Sequence, residues 1–216
     1  MESKPTLKVN PIYEGKNTAD IDTFLGYLNL PDDAWKKESV MEPKKASDPQ
    51  VWAWKRTSKT SKTEVQLKVR CVFPNMTMDK LLECFQPENI PKWNEQFPKM
   101  KIIQENPEDD TYLTYATSKA VAILDLREFV SRTVHRKGYY INEDGSDAAH
   151  ISFRVPGGEH ADYPSNVKGL TRGIEHCTGQ MFKPAPEVNG CMVEAIHYKD
   201  IFGKIPEFII EKASNK

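Results

Sequence analysis

Long apolar runs are missing from this chain. No stretch approaches the roughly 18 residues that a membrane-spanning helix needs, and the polar start, Met1-Glu2-Ser3-Lys4-Pro5, is no secretory signal. Cysteine is scarce too. Cys71, Cys84, Cys177 and Cys191 form no C-x-x-C pair, which removes the common zinc and dithiol motifs and leaves four reduced thiols. The 11 glycines build neither a G-x-G-x-x-G fingerprint nor a phosphate-binding P-loop, and no G-x-S-x-G elbow is present. The five histidines, His135, His150, His160, His176 and His197, lie far apart, with no H-E-x-x-H pair. Glu159-His160-Ala161-Asp162 reads as exposed loop rather than a metal site. Glu175 and His176 are neighbours in a strand, face opposite sides and cannot work as one acid–base pair. The expectation is a non-enzyme with no cofactor and no metal.

What is present suits a folded chain. Hydrophobic residues make up 38% and charged residues 28% of 216 residues, enough for a substantial core in one domain spanning 1–216. A soluble, cytoplasmic monomer is expected. The net charge of −1 hides an asymmetry: residues 36–70 carry ten Lys/Arg against four acids. That ribbon could steer the chain to an anionic membrane surface, at up to about 1 kcal/mol per well-placed cation. The plainer reading is a solvated hairpin with lysine on its edge. Nucleic acid is not expected, because the basic segment has no recognition helix and no stacking platform.

The periodicity predicts a helix over residues 18–30, with Ile21, Phe24, Leu25 and Leu28 on one face and Pro31 at its end. Three strands follow, over 34–40, 50–57 and 64–73. Thr77 caps a short helix, and a second turn holds Trp93. Six more strands are expected, over 100–105, 111–118, 127–137, 148–155, 167–182 and 191–199. An amphipathic helix closes the chain from about Pro206, with Ile205, Phe208, Ile209 and Ala213 at helical spacing. The first ten residues read as loose. Runs of consecutive antiparallel strands make the class α+β.

The strand after Arg127 splits into two alternating sets. Glu128, Val130, Arg132, Val134 and Arg136 are largely charged and are expected to face solvent. Phe129, Ser131, Thr133 and His135 fill space poorly, so they either line a pocket with a few hydrogen-bonding groups or form an ordinary core with satisfied hydroxyls.

Four motifs in order then resemble the START domain, the steroidogenic acute regulatory protein-related lipid transfer family. Lys92-Trp93-Asn94 resembles its K-W-D turn and Arg127-Glu128-Phe129-Val130 its R-D-F-V strand. Val167-Lys168-Gly169-Leu170-Thr171-Arg172-Gly173-Ile174-Glu175-His176 is similar to its V-R-G-x-N-H strand. Asp200-x-x-Gly203-x-Ile205-Pro206 is similar to its approach to the last helix. The resemblance covers nearly the whole chain. It implies a helix-grip fold, a curved antiparallel sheet of about nine strands wrapped around a C-terminal helix and enclosing one lipid.

It also implies non-catalytic binding and intermembrane transfer of that lipid. The nearest members are the small sterol-binding ones, which makes cholesterol-like sterols the first expectation. Phospholipid transfer, with Arg172 and Tyr115 as headgroup residues, is one alternative, and a ligand-regulated interaction module is another. The implied ligand contacts are Trp93, Ala116, Ser118, Phe129, Ser131, Thr133, His135, Arg172, His176, Phe208 and Ile209. The implied lid is the loop 119–126, with Val121, Ile123 and Leu124 touching membrane. Two departures stand out. Several sterol carriers pair a buried carboxylate with an arginine where this chain has Ala116 and Thr133, so both partners are missing together. Only ten residues follow Pro206, a helix of about 15 Å, which would leave part of the cavity mouth uncovered.

Overall fold

In the computed structural model the described residues are 7–56, 64–119, 126–165 and 167–201. The terminal helix with Phe208 and Ile209, and the lid residues Val121, Ile123 and Leu124, lie outside them. The described elements are β1 (Lys8–Val9), α1 (Thr18–Leu28), β2 (Lys36–Met41), β3 (Gln50–Arg56), β4 (Glu64–Phe73), α2 (Met78–Cys84) and α3 (Ile90–Trp93). They continue with β5 (Lys99–Asn106), β6 (Thr111–Ser118), β7 (Leu126–Ile141), β8 (Asp147–Pro156), β9 (Leu170–Arg172), β10 (Ile174–Ala185) and β11 (Gly190–Asp200). Among these residues no helix is long and apolar enough to cross a membrane.

Nine strands form one path, β2-β3-β4-β11-β10-β8-β7-β6-β5, and every neighbouring pair on it is antiparallel. Two short strands are added to β7. Lys8–Val9 pairs with its far end, so part of the segment expected to be loose is held in the sheet. Leu170–Arg172 lies parallel to its beginning. The single strand expected over 167–182 is therefore two. The break falls at Gly173, where a Cβ would run into the Phe129 ring, so only glycine lets the chain pass that close. Strand β7 also outruns its expected end. It passes a register shift and continues to Ile141, with Gly138 at φ +58° in the left-handed region.

Helix α1 forms because Ile21, Phe24 and Leu28 recur at helical spacing and Asp20 opposes the positive helix end. Its apolar stripe is buried on one face of the sheet, against Val134, Ile151, Phe153, Val155, Cys177, Met181 and Ile196. Phe24 stacks on Phe153 with ring centroids 4.9 Å apart and planes 4° from parallel. This corrects the solvent-facing assignment of alternate β7 residues. Arg132 donates to Asp20 of α1 at 2.8 and 3.2 Å. Arg136 has no exposed side-chain surface, and its guanidinium donates to Asp110 and to the carbonyl of Asp109 under the ring of Tyr13. Glu128 is buried beside Arg172 and Tyr115. Alternation identifies which residues share a face, but not which face another element covers.

The opposite, inner face is covered by α2 and α3. Thr77 caps α2 by accepting the amide of Lys80 at 3.2 Å. Leu81 and Leu82 then pack on Phe182, Cys191 and Val193, while Ile90 of α3 packs with Met100 and Ala116. His150 anchors this layer: its Nδ1 accepts the amide of Gly138 at 2.8 Å, which leaves Nε2 to donate to Asp79 of α2 at 3.0 Å. Although Asp79, Asp147 and His150 lie close enough to hold an ion, both ring nitrogens are already engaged.

Candidate functional site

Cross-strand partners share a face, so the register places a compact set of polar side chains on the inner face. Thr133 lies opposite Arg154, Arg154 opposite Thr178, Thr178 opposite His197, and Glu175 opposite Lys199. Glu175 is the centre. It accepts Nε and a terminal nitrogen of Arg154 at 2.8 and 3.1 Å and the hydroxyl of Ser131 at 2.8 Å. Burial raises the affinity of its carboxyl for a proton. The Arg154 and Lys199 charges and the two side-chain hydrogen bonds outweigh burial and hold the pKa down to about 2.

Lys199 projects from β11 towards two rings, with Nζ 5.1 Å from the centroid of Phe97 and 5.9 Å from that of Phe129. Burial lowers its pKa, and the neighbouring Glu175 only partly restores it. His197, on the same strand face, is pushed down to about 3 by burial and by the Lys199 and Arg154 charges, so it is neutral. Between these groups and α3 lies a cavity of about 60 Å³. Phe85, Ile90, Trp93, Asn94, Phe97, Arg154, Gln180, His197 and Lys199 line it. It has an aromatic wall on one side and a charged floor on the other. Ligand pockets usually run from about 300 to 1,000 Å³, so this space is smaller than a typical one. A larger groove of about 690 Å³ lies along Trp35, Lys36, Glu38, Lys55 and Arg56, but it is open to solvent and lined by charges of both signs.

The expected site residues fall into three groups. Trp93 lines the cavity, half exposed at 49%, with its indole N–H donated to the Cys84 carbonyl at 2.8 Å. Phe129 is buried and packs against Phe97, with ring centroids 6.1 Å apart. Ala116, Ser131, Thr133 and His135 share the inner face but are already engaged. Ala116 packs on Met100, and Ser131 bonds Glu175. Thr133 is 3.0 Å from the hydroxyl of Thr114. His135 sits between Gln86 at 3.0 Å and Ser152 at 3.1 Å. Ser118 closes β6 opposite Arg127.

Arg172 and His176 are on the other face. Arg172 donates to Glu128 at 2.9 and 3.1 Å and to the carbonyl of Tyr163, and Tyr115 reaches the same carboxylate at 2.9 Å. The inward orientation that a phospholipid headgroup site would need from these two residues is not the one observed. His176 is the extra residue of a bulge between Glu175 and Cys177 and stacks on Tyr198, which itself meets Tyr27 of α1.

Arg154, Gln180, His197 and Lys199 were missed by the sequence reading. A signal existed. In β8, Ser152 and Arg154 alternate with Ile151, Phe153 and Val155, and in β11, His197 and Lys199 alternate with Ile196 and Tyr198. Polar residues at every second position ordinarily mark the solvent side, whereas here they mark a covered cavity. The pair missing at Ala116 and Thr133 has a counterpart nearby, because Arg154 and Glu175 place a buried ion pair on β8 and β10.

The neutral histidines make stability depend on pH. His135 is pushed down to about 4, first by burial and then by its neighbours, the Arg136 charge among them. Between pH 6.5 and 4 the unfolded chain binds protons that folded His135 and His197 refuse, so stability is full above 6.5 and falls on acidification. At pH 5 each should cost about 2 kcal/mol. Urea titrations at pH 7.5 and 5.0 are expected to show this loss, and His135→Asn should remove its share.

A curved antiparallel sheet with one face sealed by a helix and the other lined by a partly hollow polar floor defines a lipid-binding scaffold of the helix-grip type. The START domain model matches residues 23–216, and the chain belongs to that family. It is thus a non-catalytic lipid-transfer module. No curated protein matches the sequence. Among solved structures, human StAR-related lipid transfer protein 5 is similar, with a TM-score of 0.71, 20% identity, and 92% of this chain and 88% of that one covered. Human STARD10 gives 0.68 at 16% identity, covering 94% and 76%. A fragment of the STAR-related lipid transfer protein from Xanthomonas axonopodis gives 0.58 at 15% identity, covering 84% and 90%. At such identities the likeness establishes the fold.

Proposed function

We propose that this protein takes one lipid, a sterol before a phospholipid, into the cavity between the inner face of the sheet and α2–α3 and carries it between membranes. The observation that carries this reading is the cavity itself, with Phe85, Trp93 and Phe97 as an apolar wall and Arg154, Gln180 and Lys199 as its polar floor. Burying a few hundred Å² of lipid there at about 25 cal/mol per Å² gives on the order of 10 kcal/mol before ordering costs, enough for tight but reversible binding. A sterol is favoured because Arg172 and Tyr115, the headgroup residues of the phospholipid reading, point away from the cavity and are spent on Glu128. Trp93, half exposed at the mouth, is the apolar group placed to meet a membrane surface first.

Native mass spectrometry of the chain after incubation with vesicles of phosphatidylcholine and cholesterol tests the proposal. One sterol per chain is the expected adduct. A phosphatidylcholine adduct would favour the alternative, and no adduct would leave a lipid-free interaction module. Gln180→Trp, on a rigid strand that lines the cavity, is expected to fill it and cut uptake at least ten-fold with the far-UV circular dichroism unchanged. Undiminished uptake by that variant would place the lipid elsewhere.

A further inference from the structure

The charges of the cavity do not cancel. Arg154 and Glu175 form one ion pair, at 2.8 Å, and neutral His197 adds nothing. Lys199 is then a second cation. Among the described residues no hydrogen-bond or ion-pair partner meets its Nζ; its contacts are the faces of Phe97 and Phe129. The carboxylate opposite it in the sheet, Glu175, already receives three hydrogen bonds, two from Arg154 and one from Ser131. An ammonium held against two rings, beside a satisfied ion pair and bordering a cavity, is costly to keep without a counter-charge.

We infer that the lipid carried here ends in a single anion, a carboxylate or sulfate on an apolar body, and that Lys199 receives it. This rests on the lipid-carrier reading and names the polar end of that same ligand. Three features support it. Lys199 is a compact point charge with three donors, free to turn towards an anion entering from the α3 side. Glu175 is already bonded to Arg154, so among the described residues the anion meets in Lys199 a cation outside that pair. Phe97 and Phe129 flank Nζ and would pack the apolar carbons next to the anionic group. A choline headgroup, which carries its own cation, gains nothing from this arrangement. A plain hydroxyl leaves the ammonium without a counter-charge.

Two ligand pairs that differ only in charge test the inference on the full chain: oleate against oleyl alcohol, and cholesterol sulfate against cholesterol. Affinities are read by competition with a fluorescent fatty acid or sterol. The wild-type chain is expected to bind at least one anionic member ten-fold or more tightly than its neutral twin, and which pair shows it tells an acyl body from a sterol one. Lys199→Met should erase that preference, and Lys199→Arg should retain it. Equal affinities within both pairs in the wild type, or a preference that survives Lys199→Met, would overturn the inference and leave the lipid-carrier reading standing. Failure of all four ligands to bind would sink the carrier reading and this one with it. The wild-type comparison decides the matter even if Lys199→Met does not fold.

Discussion

Glu175→Gln is expected to destabilise the protein by about 3–5 kcal/mol, among the largest losses any single polar substitution here should cause. The carboxylate is 2% exposed and is the sole ion-pair partner found for Arg154 among the described residues. Removing its charge strands a guanidinium that is itself only 12% exposed, and an uncompensated buried charge costs far more than the pair was worth. Urea denaturation at pH 7 measures the loss. A double variant, Arg154→Met with Glu175→Leu, should recover most of it, because a buried pair replaced by apolar side chains of similar size is often neutral. A loss under 1 kcal/mol in Glu175→Gln would show that Arg154 finds another anion. Acid gives the same information. The folded pKa of about 2 lies below the ordinary value of 4.5, so the stabilisation is complete above pH 4.5 and is lost as pH falls towards 2. In Glu175→Gln that part of the acid limb should flatten.

Phe24→Ala is the second large effect, again about 3–5 kcal/mol, from lost transfer energy and the cavity left behind. Phe24 is fully buried on Phe153, between Ile21 and Leu28. Thermal and urea unfolding should both report it. The companion Asp20→Asn should cost less than 1 kcal/mol, because its partner Arg132 is 40% exposed on the side chain and water replaces the bond. Helix α1 lies on the face opposite the cavity. Folded Phe24→Ala protein should therefore bind lipid as the wild type does, whereas Gln180→Trp should fold and fail to bind. A Phe24→Ala loss below 1 kcal/mol would mean that α1 is not held by its apolar stripe.

Local patterns were legible where a single element carried its own reason. The α1 stripe, the Thr77 cap, the strand edges set by turns and the family motifs could all be read along the chain, and the antiparallel α+β class followed from their order. The site was legible only in part. Trp93 lines the cavity, Phe129 packs on Phe97, and Ser131, Thr133 and His135 share the inner face. Their hydroxyls and ring nitrogens are spent on Glu175, Thr114, Gln86 and Ser152, and such partners lie 17 to 49 residues away in sequence.

Arg172 and His176 show the limit most directly. Both belong to a segment that reads as one strand, and counting alternation through it assigns their faces wrongly. The bulge after Glu175 resets the count, and the break at Gly173 falls where the Phe129 ring passes the backbone. Sequence by itself determined which residues share a face within an unbroken strand, where α1 and α2 begin, and the family. Which face is covered and which charges pair were decided only by the tertiary structure, because burial and ion pairing depend on distances between strands that the chain order does not contain. Lys199 is the clearest case: along the sequence it is one lysine among many, and in the folded sheet its ammonium lies against the rings of Phe97 and Phe129, opposite a Glu175 already bonded to Arg154.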